Sequence, residues 1–255
     1  MDEAKARAEK KIKGYICKHL ISTVMKTYSY KDLAVAYVRG EGQKRDMDLP
    51  EELQTVPLGE LTDDQKDELV ILGKKAELKM HYFKEKDQLP RVQLVMGFLR
   101  GMVASGQITS VLDVGSGRGA FLFPLLTEFP GLDVTSIDIL PHRVALLHSV
   151  EQGGVSNLHA LERNLCEWDG PDGAFDAVTL LEVLEHIPEV EKAVANAVRM
   201  AGRYVIVTVP SKPDDNPEHI HLFTKDMLSD MFLKAGCSKV KFDSVLNHLF
   251  MVAIK

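Results

Sequence analysis

The sequence predicts an α/β fold: a doubly wound, mostly parallel seven-stranded sheet with an antiparallel last strand, plus a helical N-terminal cap. Strand and helix patterns alternate after Gly106, which is typical of a parallel sheet covered on both faces. A glycine-rich turn follows the first of these strands. The last two strands are joined by too short a connection for a parallel crossover, which needs roughly a dozen residues. We therefore divide the chain into a cap over residues 1–107 and a sheet domain over residues 108–255.

The cap is predicted to be helical because apolar residues recur at helical spacing among charged ones. Thr62 is the predicted N-cap of one helix, with acidic residues in its first turn. Residues 39–60 contain glycine and proline and are predicted to form a loop. The four predicted helices cover Ala4–Thr27, Tyr30–Val38, residues 62 to about 84, and Pro90–Val103.

The sheet domain is predicted from apolar runs that are bounded by turn residues. Gly202 and Gly236 are predicted to end helices at their C′ positions, and residues 244–247 to form the last turn. The predicted strands are Ser110–Val114, Asp133–Asp138, Leu158–Arg163, Phe175–Leu181, Tyr204–Val209, Lys239–Phe242 and His248–Ile254. The predicted helices are Phe121–Glu128, Pro141–Gln152, Pro188–Met200 and Thr224–Lys234.

Composition and charge narrow the class of protein. No apolar run approaches the roughly 18 residues that a membrane span needs, and the start of the chain lacks the apolar centre of a signal peptide. Three scattered cysteines, Cys17, Cys166 and Cys237, favour a reducing cytoplasm. Residues 1–45 hold 11 basic and 5 acidic residues, a net charge of +6. Because the formal net charge of the whole chain is −6, the remaining residues carry a net charge of −12. This basic arm can contact phosphate, as in RNA, although a solvated helix face or docking on the acidic domain is the simpler interpretation.

A glycine-rich turn follows the first strand and is the centre of the predicted site. Gly115, Gly117 and Gly119 stand at alternate positions after Asp113, so the backbone can bend sharply and approach a ligand closely. The next helix directs its first N–H groups to the same place. The spacing differs from the dinucleotide fingerprint, which disfavours a nicotinamide dehydrogenase.

Two further strand ends offer polar groups to a nucleoside. Asp138 ends the second strand, where a carboxylate can accept hydrogen bonds from both ribose hydroxyls. Ile139, next to it, offers apolar surface for a base. Asn164 follows the third strand, and its amide can donate to and accept from an adenine edge. The alternative for Asp138 is a helix-capping or surface role, and an isolated Asn at position 164 would more often form a turn.

Several ordered motifs resemble the class I S-adenosylmethionine-dependent methyltransferases, which have a Rossmann-like sheet. The matching stretches are residues 111–119, 136–138, 173–178, 182–187 and 219–224. The resemblance implies S-adenosylmethionine as cofactor, with Gly115 and Gly117 along its methionine part and Asp113 facing its amino group. It also implies that Asp138 binds the ribose and Asn164 the adenine, although the family often has Asp at the last position.

Glu182, Glu185, His186, His219 and His221 follow strands on the ligand side of the sheet. The pattern is similar to that of the metal-dependent methyltransferases that modify the 3′-terminal ribose 2′-hydroxyl of small RNAs. That resemblance implies a divalent metal held by Glu182, Glu185, His186 and His219. Many small-molecule methyltransferases without a metal share the stretch, however, and in them Glu182 lines the pocket and the histidines brace loops. An Asn after the strand-five proline, typical of the RNA enzymes, is missing.

The sequence therefore predicts a methyltransferase that acts on an oxygen of a small-molecule acceptor, with Glu182, His186 and His219 as catalytic residues. The first alternative is a metal-dependent RNA ribose 2′-O-methyltransferase that uses the basic arm. An alternative of another class is a regulatory module that binds the cofactor without catalysis.

Overall fold

The computed structural model of the protein describes residues 27–85 and 88–255. The predicted helix over Ala4–Thr27, Cys17 and most of the basic arm lie outside the described residues.

The described residues form helices and strands in the predicted order, with one additional short helix, Glu51–Thr55, inside the predicted loop over residues 39–60. The α-helices are α1 Tyr30–Arg45, α2 Glu51–Thr55, α3 Asp63–Lys75, α4 Pro90–Ala104, α5 Leu122–Glu128, α6 Pro141–Gln152, α7 Val190–Met200 and α8 Lys225–Lys234. The strands are β1 Ser110–Val114, β2 Asp133–Asp138, β3 Leu158–Glu162, β4 Phe175–Leu181, β5 Ala201–Pro210, β6 Lys239–Val245 and β7 His248–Ile254. Short 3-10 helices cover Leu58–Glu60, Met80–Phe83 and Leu184–His186.

The sheet has the order β3-β2-β1-β4-β5-β7-β6. The first five strands in that order run parallel, and β7 lies antiparallel between β5 and β6. This arrangement confirms the predicted doubly wound sheet with an antiparallel last strand. The chain order reverses between β1 and β4, so the carboxyl ends of these strands border a crevice where ligands bind in such sheets.

The last hairpin is tighter than predicted. Val245 pairs directly with His248, which leaves a two-residue turn instead of the predicted one over residues 244–247. Leu246 and Asn247 have φ values of 35° and 66°, as expected for the left-handed turns that connect twisted strands. The turn fixes His248 as the first residue of β7, beside the end of β5.

The helix predicted to end at Val38 continues to Arg45, so the loop predicted over residues 39–60 is wrong in part. A capping box starts α1, since Ser29 and Asp32 bond each other's backbone N–H groups. Gly40 does not end the helix. A Cβ at Gly40 would lie 2.0 Å from the carbonyl oxygen of Ser149 on α6, so glycine here permits close backbone contact between two helices. A helix-breaking residue in the sequence thus serves helix packing.

Other helix ends also differ from the predictions. The helix capped by Thr62 ends at Lys75 rather than near residue 84, and Glu77 just beyond it has a φ of 56°. The helix predicted from Pro188 begins at Val190. Gly202 does not cap that helix, because α7 passes directly into β5 at Ala201. Gly236, with a φ of 107°, does follow the end of α8 as predicted.

Two apolar clusters cover the sheet. One joins the N-terminal helices to the strands and includes Leu33, Val95, Leu125, Val134 and Val150. The other packs α7 and α8 on the sheet through residues such as Leu112, Val194 and Phe232. The N-terminal helices therefore share a core with the sheet, and the start of α4 reaches its carboxyl edge. No helix in the described part of the chain is long and apolar enough to cross a membrane.

Candidate active site

A cavity of about 850 Å³ lies at the carboxyl edge of the sheet. The turn after β1, the ends of β2 and β4 and the segments that follow β3 and β4 line most of it, and the start of α4 closes one side. Its volume falls within the range of about 300–1,000 Å³ that is typical of small-molecule sites. Gly115, Gly117, Asp138, Asn164 and Glu182 all line this cavity, so the structure brings the strand-end residues together.

The glycine turn has the backbone conformation that its composition suggests. Gly115 and Gly117 have φ values of 68° and 58°, which favour glycine. A Cβ at Gly115 would also lie 2.9 Å from a methyl carbon of Val183, so the turn and the segment after β4 are in tight contact. The turn therefore presents bare backbone to the cavity.

Asp113 is buried at the base of the turn. Ser116 donates a hydrogen bond of 2.6 Å to one carboxyl oxygen, and Thr179 donates one of 2.8 Å to the other. Burial raises the pKa of Asp113 to about 6, because the two hydroxyls offset only part of the desolvation cost and nearby Asp138 adds repulsion. A cation placed next to Asp113 would therefore stabilise its ionised form.

Asp138 and Asn164 sit at neighbouring strand ends and also make local bonds. The Asp138 carboxyl accepts a 2.9 Å bond from the N–H of Leu140 and lies 3.5 Å from Arg143. The Asn164 side-chain oxygen accepts from the N–H of Cys166 at 3.0 Å, which is the turn role considered from the sequence. Ile139 is 63% exposed and forms part of the cavity wall.

Glu182 follows β4 in an unusual backbone conformation. Its φ is 58°, which is sparsely populated for a non-glycine residue and occurs often at functional sites. Its carboxylate accepts a 2.8 Å hydrogen bond from Thr208 and lies 3.0 Å from Nε2 of His248 and 3.8 Å from Nε of Arg91. Thr208, His248 and Arg91 were not predicted site residues.

Glu185, His186 and His219 form a second cluster, in which one potential ligand atom of each lies within 4.8 Å of the others. The Glu185 side chain is fully buried, and neither carboxyl oxygen has a hydrogen-bond partner among the described residues. Burial raises its pKa to about 8, and Glu182 adds repulsion. Glu182 itself is turned toward Thr208 and His248, so the structure brings together three of the four residues considered for a metal.

Comparison with known proteins shows what part of the sheet domain is similar to. Residues 112–203, which include the glycine turn and Glu182, match the family model described as "Methyltransferase domain". The doubly wound sheet and its antiparallel last strand agree with the resemblance described above. The stretch from residue 112 to residue 203 is similar to a methyltransferase domain.

Two curated methyltransferases are similar to part of the chain. A ubiquinone biosynthesis O-methyltransferase from Xylella fastidiosa is 36% identical over 106 residues, which cover 39% of this chain and 41% of the relative. A demethylmenaquinone methyltransferase from Thermus thermophilus is 29% identical over 106 residues, which cover 40% of this chain and 48% of the relative. The chain thus spans less than half the length of these curated relatives.

A solved structure supports the same fold. The structure of a SAM-dependent methyltransferase from Archaeoglobus fulgidus aligns with a TM-score of 0.51 and 17% identity. The alignment covers 64% of this chain and 94% of that one.

The remaining histidines of the methyltransferase domain's site differ in role. His221 lies 2.9 Å from the carbonyl oxygen of Ile187, so it braces a loop, as in the interpretation without a metal. The sequence did not indicate His248 as a site residue, because a position at the end of a hairpin does not show which strand lies beside it. The sequence indicated Arg91 only weakly. A cation in the first turn of a helix is unfavourable for helix stability, which suggests that Arg91 has another role.

Proposed function

We propose that the protein transfers a methyl group from S-adenosylmethionine to an oxygen of a small-molecule acceptor. The observation that carries the proposal is one continuous cavity with two chemically different ends. Asp113, the glycine turn and Asp138 line one end, while Glu182 and His186 line the other. The first end suits a cationic nucleoside, and the second offers groups that can hold and deprotonate a hydroxyl.

The cofactor end offers suitable groups for the amino group, methionine chain, ribose and adenine of S-adenosylmethionine. Asp113 would face the amino group, while Gly115 and Gly117 would leave room for the methionine chain. Asp138 would bind the ribose hydroxyls, and Ile139 and Asn164 would contact the adenine face and edge. The bound sulfonium supplies an electrophilic methyl group, so the protein's own task is to position the acceptor and exclude water.

His186 is the proposed general base. Its Nδ1 lies 3.0 Å from the carbonyl oxygen of Glu218, which can only accept, so Nδ1 carries the proton and a neutral ring leaves Nε2 free. His219 is 4.8 Å from His186 between ring centroids, and its own Nδ1 lies 2.8 Å from Asp214. His186 would take the hydroxyl proton as the new oxygen–methyl bond forms, with His219 holding its ring and Glu182 orienting the acceptor.

Apolar side chains at the cavity support a small organic acceptor. Leu89 and Ile220 line the cavity and are 40% and 52% exposed. Exposed apolar side chains in the wall of a cavity suit a ligand with an aromatic or aliphatic body. The Xylella relative, named for O-methylation in ubiquinone biosynthesis, supports the same acceptor class.

The test combines cofactor binding with methyl transfer. We expect calorimetry to detect S-adenosylmethionine binding, and labelled methyl groups to appear on at least one compound from a panel of small phenols and catechols. His186→Gln should retain cofactor binding and lose transfer by a factor of about 100 or more. Binding without a labelled product across the panel would favour the non-catalytic module, and absence of binding would overturn both functions.

A divalent metal at Glu185, His186 and His219 is a second candidate feature. Two imidazoles and a carboxylate are a common donor set, and each histidine already bonds Nδ1 to a carbonyl or a carboxylate, as metal-binding histidines usually do. The unpartnered buried carboxyl of Glu185 also fits, since a cation would satisfy it. A bound metal would supply Lewis-acid capacity at the acceptor oxygen.

The metal is tested by titrating Mn²⁺ into EDTA-treated protein. We expect binding to the wild type and a loss of affinity of about 10–100-fold in Glu185→Gln, with exposed Glu191→Gln as the control. Absence of Mn²⁺ binding would remove the metal. RNA as acceptor and a cytoplasmic location stay predictions from the sequence, since the arm proposed to contact RNA lies mostly outside the described residues.

A further inference from the structure

Arg91, Glu182, Thr208 and His248 meet at the acceptor end of the cavity, and we refer to these four residues as the acceptor-end cluster. They come from the start of α4, the end of β4, β5 and the start of β7. Glu182 is the centre of the cluster, because it accepts from Thr208 and lies against both His248 and Arg91. Four separate elements thus fix the position of one carboxylate and one guanidinium.

Arg91 stands where helix stability does not favour it. It is in the first turn of α4, at the positive end of the helix dipole, where a cation is unfavourable. Its side chain is about a quarter exposed and lines the cavity. Its Nε lies 3.8 Å from Glu182, and within residues 27–85 and 88–255 its two terminal nitrogens have no hydrogen-bond partner. The forked face of the guanidinium is therefore free to bind a planar oxyanion.

The charge around Glu182 also favours an added anion. His248 directs Nδ1 at the carbonyl oxygen of Leu246, 2.9 Å away, and Nε2 at Glu182, 3.0 Å away. The carbonyl of Leu246 can only accept, so the ring donates to it through Nδ1, and Nε2 faces the carboxylate of Glu182. The single carboxylate of Glu182 thus faces both Arg91 and His248 and also accepts from Thr208. The positive charge of Arg91 is only partly balanced.

We propose that Arg91 is a specificity residue that binds a carboxylate of the acceptor. Glu182, which is held by Thr208 and His248, positions the Arg91 side chain. The inference rests on the proposed function and narrows the acceptor class. The acceptor is a small hydroxyl compound, such as a phenol, that also carries a carboxylate. The hydroxyl lies toward His186 and the carboxylate toward Arg91.

The experiment compares two acceptor probes that differ in charge but hardly in shape: 3,4-dihydroxybenzoate and 3,4-dihydroxybenzamide. Affinities are measured by calorimetry on full-length protein saturated with S-adenosylhomocysteine. We expect the wild type to bind the carboxylate at least tenfold more tightly than the amide. Arg91→Gln should abolish the preference, and Arg91→Lys should restore part of it, because lysine keeps the charge but lacks the fork.

Arg100→Gln is the matched control, since Arg100 lies on the same helix in an exposed pair with Glu128. It should keep the tenfold preference. Equal affinities for the two probes in the wild type, no binding of either, or a preference that survives in Arg91→Gln would each overturn the inference. Binding of S-adenosylhomocysteine is measured first in every variant. Its loss would contradict the proposed function, whereas intact cofactor binding without a carboxylate preference contradicts the specificity alone.

Discussion

The two ends of the cavity are built in different ways. At the cofactor end, the polar groups lie within one short turn or directly at strand ends, as Asp113 and Asp138 do, and the sheet order alone brings them together. At the acceptor end, Arg91, Glu182 and His248 converge from distant parts of the chain. The first design suits a ligand that is the same across a family. The second allows acceptor preference to change through single side chains without disturbing the turn.

The largest expected effect comes from a substitution at the cofactor end. Asp138→Ala should weaken binding of S-adenosylmethionine about 100-fold, because charge-assisted hydrogen bonds to the ribose are lost and each is worth about 1.5–3 kcal/mol. Calorimetry measures the change.

Asp133→Ala is the matched control, because Asp133 begins the same strand and is exposed. The Asp138 carboxyl also accepts from the N–H of Leu140 at the start of α6, so thermal unfolding should be followed in both variants. An unchanged affinity in a folded Asp138→Ala protein would remove the assignment of the cofactor end.

The sheet was predictable from the sequence because each strand is a short apolar run with clear boundaries. Most residues of β1, β2 and β4 are buried, so local composition and tertiary burial agree there. The polar residues at these strand ends were predictable for the same reason. Once the strand order is known, their position at one edge follows from the direction of the strands.

The N-terminal layer was less predictable because packing overrides local propensity there. Gly40 is a poor helix former, yet it lies within α1 where a larger residue would collide with the backbone of Ser149. Glycine commonly follows the end of a helix, yet Gly202 lies in β5 because α7 joins that strand directly. A local sequence pattern does not predict these packing arrangements. Likewise, His248 joins the site only because β7 inserts beside β5.

A smaller effect concerns the buried carboxyl at the acceptor end. The pKa of Glu185 is raised from 4.5 to about 8, so the folded protein binds a proton there that the unfolded chain has already lost. The free energy of unfolding should therefore fall as pH rises through this window. In EDTA, between pH 6.5 and 8, we expect a fall of about 1–2 kcal/mol in the wild type.

Glu185→Gln should lack this contribution, since glutamine does not titrate. Urea unfolding at several pH values provides the measurement, and Glu191→Gln, with an exposed side chain, should behave as the wild type does. The raised pKa of Asp113, about 6, acts mainly below the chosen window and so does not obscure the result. Parallel pH profiles for the wild type and Glu185→Gln would show that this carboxyl ionises freely in the folded protein.

The smallest expected effect is a pH dependence at the cofactor end. Asp113 ionises with a pKa of about 6 in the free protein, and the cationic cofactor favours its ionised form. The affinity for S-adenosylmethionine should thus rise by about fivefold between pH 5 and 6 and by about tenfold in all by pH 7, above which it levels off. Asp113→Asn should bind more weakly at pH 7 and lose this rise, while Asp133→Asn should keep it. If the affinity of Asp113→Asn rises with pH as much as that of the wild type, the pH dependence belongs to another group. The amino group of the cofactor would then need a different partner in the turn.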